Sequence, residues 1–216
     1  KVWEDFYMKA VILAGGEGSR LRPITCTVPK PLVSLCGKPV ALYILELLAK
    51  HGITEAVFTL GYMADEIENY FDEPRYKGVS LSFVREKEPL GTAGSVRAAA
   101  PSGDILVISG DAMCDFDLSS AMEKFASSGA DCAIITKKVE DPREYGLVLA
   151  DEKSCVRSFL EKPSYESCIT DLANTGIYML TESAVRHIPV GEASDFAKDI
   201  FPKMLSGGMK ILSVEE

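Results

Sequence analysis

The sequence predicts an α/β fold, Rossmann-like, with a mainly parallel sheet, helices on both faces and a mixed β-hairpin half following it. Three observations predict this. A short apolar run, Lys9 to Ala14, stops at paired glycines, as a strand buried on both faces does. Strand-type and helix-type segments then alternate as far as Ser128. A second apolar run, Ile105 to Asp111, ends in a glycine and a carboxylate. Alternation in this order implies right-handed crossovers between parallel strands.

Each element has its own signal. After the glycine-rich loop, Pro39 opens a helix in which Leu42, Leu45, Leu48 and Ala49 recur at helical spacing and Gly52 supplies the stop. Ala56 to Leu60 reads as a strand, Ala64 to Phe71 as an amphipathic helix, Ser80 to Arg85 as a strand and Thr92 to Ala99 as a small-residue helix. Asp117 to Ser128 is a helix with Asp117 as its cap, and Asp115 a turn residue. Cys132 to Lys138 is a strand, after which the pattern changes. Gly146 to Ala150 and Cys155 to Leu160 form a hairpin, Asn174 to Leu180 a further strand and Phe196 to Leu205 a helix. With no linker composition and no internal repeat, residues 8–216 form one domain, and residues 1–7 are a leader or an expression remnant.

Composition narrows the functions. With 216 residues and 47% hydrophobic content the chain can bury one continuous core. No apolar stretch approaches the roughly 20 residues of a spanning helix, so no membrane role is expected. The formal charge of −9 opposes binding to a phosphate polymer, which excludes nucleic acid as a partner. A small phosphate ligand needs only a local cluster of cations, and Arg20, Arg22 and Lys30 provide one. The six cysteines are widely spaced, so reduced and mostly buried thiols in a cytoplasmic protein are expected. His51 and His187 lie in helical contexts with no partner pattern.

Ligands of open parallel sheets sit beyond the carboxyl ends of the strands. The loop after the first strand holds Gly15, Gly16, Glu17, Gly18 and Ser19, where backbone amides can approach a phosphate without a Cβ in the way. By itself GG-x-G reads equally as a turn beside an exposed arginine. Lys30 changes the balance. It stands between Pro29 and Pro31, whose rings fix the backbone on both sides, a constraint that suits a lysine aimed at a fixed anion.

LAGGEGSRLRPIT, Leu13 to Thr25, followed by PKPL, Pro29 to Leu32, resembles the signature of the sugar-1-phosphate nucleotidyltransferases. The resemblance implies that Leu13, Ala14, Gly15, Gly16, Gly18 and Ser19 hold the nucleotide while Arg20 and Lys30 neutralise the triphosphate. It implies magnesium as cofactor, with Asp111 as a ligand. Glu86, Gly91 and Thr92, around PLGTAG, would read the nucleobase, with Gly94 available beside them. The sequence GTAGS differs from the G-L-A-Q-A pattern of uridylyl and thymidylyl members and is similar to guanylyltransferases acting on mannose-1-phosphate. Gly146, Glu161, Lys162 and Asn174 would receive the sugar phosphate.

The resemblance thus implies a nucleoside triphosphate and a sugar-1-phosphate as partners, most similarly GTP and mannose-1-phosphate. The alternatives are a glucose-1-phosphate uridylyl- or thymidylyltransferase, a heptose-1-phosphate guanylyltransferase, or a non-catalytic regulatory subunit that binds a nucleotide sugar. A homo-oligomer is compatible with all of them. Family members carry a G-Y-W-x-D type segment beyond a strand like ILSVEE, whose aspartate is a second magnesium ligand. That segment does not occur in the sequence, so a domain truncated at its C-terminal end, with weakened metal binding and poor turnover, is expected.

Overall fold

Alternate side chains of the first strand, β1 (Lys9–Leu13), enter two different cores. Ala10 and Ile12 pack on one side of the sheet and Val11 on the other, all fully buried. The structure, a computed structural model, describes residues 7–99, 102–161, 163–164 and 168–216. Burial on both faces is why β1 reads as a continuous apolar run.

The first core lies under α1 (Val40–Lys50) and α4 (Leu118–Ser128). Helix α1 follows Pro39 directly and buries Ala41, Ile44, Leu45 and Leu48. Ile44, Leu45 and Leu48 each contribute about 1.5–3 kcal/mol by leaving water. Helix α4 is capped as expected, Asp117 accepting from Ser120 N at 3.0 Å. His51 at the end of α1 is not without partners: its Nδ1 accepts from Ser119 N at 3.2 Å and lies 2.8 Å from Ser119 Oγ. Burial holds this imidazole below its ordinary pKa.

The strands β4 (Glu55–Leu60), β6 (Val79–Arg85) and β7 (Ile105–Ser109) complete the parallel part, in the order β7-β1-β4-β6. Helices α2 (Ala64–Tyr70) and α3 (Gly91–Ala99) supply crossovers between them. The second half is mixed, as its sequence suggests. Its pivot is β11 (Leu172–Leu180), antiparallel both to β7 and to β8 (Cys132–Lys138). At Ala173 it also meets Leu147 of the hairpin β9 (Gly146–Ala150) and β10 (Val156–Glu161), joining that hairpin to the main sheet. The short β2 (Ser34–Leu35) and β3 (Lys38–Pro39) pair as a separate hairpin, and β5 (Arg75–Tyr76) pairs with β6. Helix α5 (Glu182–Arg186) follows β11, and the last strand, β12 (Ile211–Glu215), runs parallel to β8.

Two expectations need correction. The helix expected over Phe196 to Leu205 is a π-turn, Phe196–Ile200, running into α6 (Phe201–Ser206). Pro202 has no N–H to give to the carbonyl four residues back, and the wider turn accommodates its loss. The thiols are all free, but they are not mostly buried: only Cys132 is, and Cys26 and Cys36 are exposed. Cys26 ends a surface 3-10 turn and Cys36 sits in a tight hairpin turn, positions apolar periodicity does not govern. Among the described residues no helix is long and apolar enough to cross a membrane.

Candidate functional site

Three strand ends bring the glycine loop to the carboxyl edge of the sheet. Gly110 N, just after β7, donates to Leu13 O at 2.8 Å, and Ala14 N donates to Thr59 O of β4 at 3.0 Å. The loop therefore leaves β1 gripped from both neighbours. Further on, Gly18 adopts φ +63, and a Cβ there would come within 3.0 Å of Thr25 Cγ2. That closeness comes from Thr25 Oγ1 donating to Gly18 O at 2.9 Å. Leu13, Ala14, Gly15, Gly16 and Gly18 all line a cavity of about 420 Å³. Ser19 and Arg20 do not line it. They open an exposed 3-10 turn, Ser19–Leu21, and Arg20 makes no ion pair among the described residues, while Arg22 pairs with Glu17 at 3.0 Å.

Lys30 and Asp111 meet across this cavity. Lys30 begins a 3-10 turn, Lys30–Leu32, whose Pro31 is buried, and its ammonium forms an ion pair with the Asp111 carboxylate. Ser109 donates a hydroxyl hydrogen bond to the same carboxylate. Burial raises the Asp111 pKa, but the Lys30 and Ser109 bonds outweigh it and hold the group below the usual carboxylate range. It is therefore ionised at neutral pH. The lysine and the aspartate singled out separately in sequence are one electrostatic unit.

Glu86 closes the far wall. Its backbone N–H extends the ladder to Leu60 O at 2.8 Å, and its Oε2 accepts from Leu90 N at 3.2 Å. Its Oε1 is buried and has no hydrogen-bond partner among the described residues. Gly91 and Thr92 line the same cavity, but the next two amides of α3, those of Ala93 and Gly94, are already taken. Ser194 O already accepts from Ala93 N at 2.9 Å and Gly94 N at 3.3 Å. A Cβ on Gly91, at φ +71, would lie 2.5 Å from Ser194 O, and one on Gly94 would lie 2.6 Å from Glu192 O. These glycines admit a neighbouring backbone, and Gly94 does not reach the cavity at all.

The residues expected at a sugar phosphate gather in a second cavity of about 370 Å³, lined by Gly146, Glu161 and Asn174. Gly146 and Glu161 face each other across the β9–β10 hairpin. Lys162 lies outside the described residues. The two cavities share a wall at Asn174, whose Nδ2 donates to Tyr178 Oη at 3.1 Å and whose Oδ1 accepts from Gly176 N at 2.9 Å. Tyr178 and Gly176 line the first cavity.

Sequence reasoning missed Tyr178 and Asp195, both on the first cavity. Tyr178 falls in the same strand as Asn174, among apolar neighbours that give it the pattern of a core residue. It is in fact buried, and burial pushes its phenol pKa well up, so it keeps its proton. Asp195 carries the signal of a helix cap, which it is, accepting from Ala197 N at 3.0 Å and Lys198 N at 3.1 Å. Nothing in a single chain of letters places that cap against α3.

A doubly covered α/β sheet with a glycine loop, a lysine and a carboxylate converging at its carboxyl edge defines the class of open α/β proteins whose site lies beyond the strand ends. Comparison with known proteins is more specific. The Nucleotidyl transferase family model matches residues 9–216, and the chain belongs to that family. It is 38% identical to the mannose-1-phosphate guanylyltransferase catalytic subunit beta of Drosophila melanogaster, over 91% of this chain and 54% of that protein. It is 36% identical to the UTP–glucose-1-phosphate uridylyltransferase of Synechocystis sp., over 96% of this chain and 58% of that protein. The chain thus spans about half the length of these curated relatives. Among solved structures, HddC from Yersinia pseudotuberculosis matches with a TM-score of 0.82 at 29% identity, over 96% of this chain and 90% of that one. The same protein complexed with GMP-PN matches with a TM-score of 0.81.

Proposed function

We propose that this chain catalyses nucleotidyl transfer from a nucleoside triphosphate to a sugar-1-phosphate, with GTP and mannose-1-phosphate as the pair. The observation that carries the choice of base is Glu86, a carboxylate on the first cavity with one buried oxygen lacking a donor among the described residues. Guanine offers two adjacent donors, N1–H and N2–H, which a carboxylate accepts together. Uracil and thymine offer one N–H between two carbonyl oxygens, which a carboxylate repels. A bidentate pairing of this kind discriminates by about 1–3 kcal/mol.

The reaction needs no general base, because the attacking sugar-phosphate oxygen is already anionic. That oxygen forms a bond to the α-phosphorus in line as the bond to the β-phosphate bridging oxygen breaks, and pyrophosphate leaves. The protein's task is positioning and charge neutralisation. The backbone of residues 13–18 cradles the nucleotide, and Lys30, released from Asp111, meets the triphosphate, with Arg20 joining from the rim. Gly146, Glu161 and Asn174 orient the sugar, and the resemblance assigns its phosphate to Lys162.

Asp111 fits a magnesium ion of the kind held by one or two carboxylates together with substrate phosphates and water. It is ionised, half-buried and at the cavity wall, although no cluster of three or more metal-ligating side chains occurs among the described residues. When bound, such an ion would supply further neutralisation of the phosphate charge.

A matrix of nucleoside triphosphates against sugar-1-phosphates, scored by pyrophosphate release, tests the proposal. GTP with mannose-1-phosphate should give the highest kcat/KM. A higher value for UTP with glucose-1-phosphate, or for GTP with a heptose-1-phosphate, would overturn the assigned pair. Nucleotide binding without release from any pair would instead identify a non-catalytic nucleotide-binding subunit. Glu86→Gln should lower kcat/KM for GTP about tenfold and narrow its margin over UTP, within the discrimination a bidentate pair provides.

A further inference from the structure

A single short segment, residues 194–199, touches both cavities. On the nucleotide side it runs against α3: Ser194 O accepts from Ala93 N at 2.9 Å, Ser194 N donates to Leu90 O at 2.9 Å, and Phe196 N donates to Thr92 Oγ1 at 3.0 Å. Thr92 Oγ1 in turn donates to Asp195 Oδ2 at 2.9 Å. On the sugar side Ala197 and Lys198 line the second cavity, and their backbone N–H groups are held by the other oxygen of the same carboxylate. Asp195 N donates to Asp199 Oδ2 at 2.8 Å, which fixes the turn from its far end.

The Asp195 carboxylate is therefore the point at which the base-side helix and the sugar-side π-turn are tied together. It is half-buried, so its bonds are not freely exchanged with water. The backbone packing around it leaves no slack, since Gly91 and Gly94 already bring α3 to the closest approach that 192–194 allows. A π-turn is also a register that can relax to an ordinary α-turn, and such turns recur at functional sites. A ligand that shifts α3 by engaging Gly91 and Thr92 must shift the Ala197–Lys198 wall with it.

We propose that Asp195 is a positioning residue that couples the two cavities, so that nucleotide and sugar phosphate strengthen each other's binding. The proposal rests on the reading of the two cavities given above, and it goes further by naming the group that joins them. It requires no movement of Lys30 or Asp111, which belong to the chemistry.

Equilibrium titration separates coupling from turnover. The probes are the α,β-methylene analogue of GTP, which cannot release pyrophosphate, and mannose-1-phosphate, each titrated with and without the other in the presence of magnesium. The unsubstituted chain should show mutual strengthening of at least about fivefold, the lower end of ordinary coupling. In Asp195→Ala the factor should fall below about twofold, while the affinity for each ligand alone changes less. Thr92→Val, nearly equal in shape, should lose the coupling as well, and Thr92→Ser should restore it at an unchanged thermal midpoint. A purely structural cap would move the midpoint and leave the factor alone.

Coupling retained in folded Asp195→Ala, or in Thr92→Val if Asp195→Ala does not fold, overturns the proposal. Tight binding of both ligands with no mutual effect in the unsubstituted chain overturns it too, while leaving the functional reading standing. Failure of the unsubstituted chain to bind the nucleotide analogue would bring down that reading instead.

Discussion

The two cavities are built on different parts of the sheet. The first sets the glycine loop and Lys30–Pro31 against Thr59, Glu86, the start of α3 and Asp111, at the carboxyl edge of the parallel strands. The second gathers Gly146, Glu161, Asn174, Ala197 and Pro202, which the antiparallel half brings together from four separate segments. In the first, the glycine-loop backbone faces the charged groups of Lys30, Glu86, Asp111 and Asp195. In the second, side chains on a hairpin and a helix dominate the wall. A phosphate chain is bound through many equivalent oxygens and suits a backbone cradle, whereas a sugar is distinguished by the directions of its hydroxyls and needs individually placed side chains.

The largest effect should come from the charged wall of the first cavity. Lys30→Ala is expected to lower turnover by about 100-fold or more, the scale of losing one preorganised group that meets developing phosphate charge. Pyrophosphate-release kinetics would measure it, and an unchanged rate would remove Lys30 from the mechanism. Glu161→Gln, on the sugar side, should act differently. It should raise KM for the sugar phosphate about tenfold, the worth of one charge-assisted hydrogen bond, with little change in KM for the nucleotide. Equal effects on both constants would mean that the two cavities do not divide the substrates as proposed.

Stability offers a smaller but cleaner contrast between glycines. Gly91→Ala forces a Cβ to within 2.5 Å of Ser194 O at φ +71, where the backbone on each side is fixed. It should destabilise by about 1–3 kcal/mol. Gly16→Ala meets nothing within 4 Å and should stay within about 0.5 kcal/mol of the parent, even where nucleotide binding suffers. Urea midpoints for the two variants would decide, and equal midpoints would show that the contact of residues 192–194 with α3 is soft.

The smallest expected effect is a pH dependence at His51, remote from the difference between the cavities and a control for it. Burial lowers its folded pKa below the unfolded value, so the unfolded chain binds the extra proton first as pH falls. The stability associated with a neutral His51 is full above about pH 6.5, the unfolded value, and declines below it as the folded pKa is approached. His51→Gln should flatten that part of the urea-midpoint profile. The Asp111 contribution lies lower. Its depressed pKa gives stability at neutral pH that is lost only as pH falls through the acidic range of a paired carboxylate.

Much of this was legible in the sequence, for reasons that can be located. The strands Lys9–Leu13 and Ile105–Ser109 were readable because burial on both faces leaves only apolar residues. Helix α1 was readable because one face is buried and Pro39 and Gly52 bracket it. The Lys30 and Asp111 positions stood out because prolines and a strand end are local features. Their ion pair was not legible, since 81 positions separate them and only the parallel pairing of β1 with β7 brings them together.

The amino-acid sequence by itself determined the α/β alternation, the glycine loop with its proline-flanked lysine, and the likeness to the family to which the chain belongs. These depend on periodicity and short-range stereochemistry, which act over a few residues. Only the tertiary structure decided that Arg20 lies on the rim, that Ser194 occupies the α3 N-terminus, and that Asp195 touches α3 while capping the turn beside the second cavity. Those contacts join residues about a hundred positions apart. No local preference encodes them, because they follow from where β11 turns the second half of the chain back against the first.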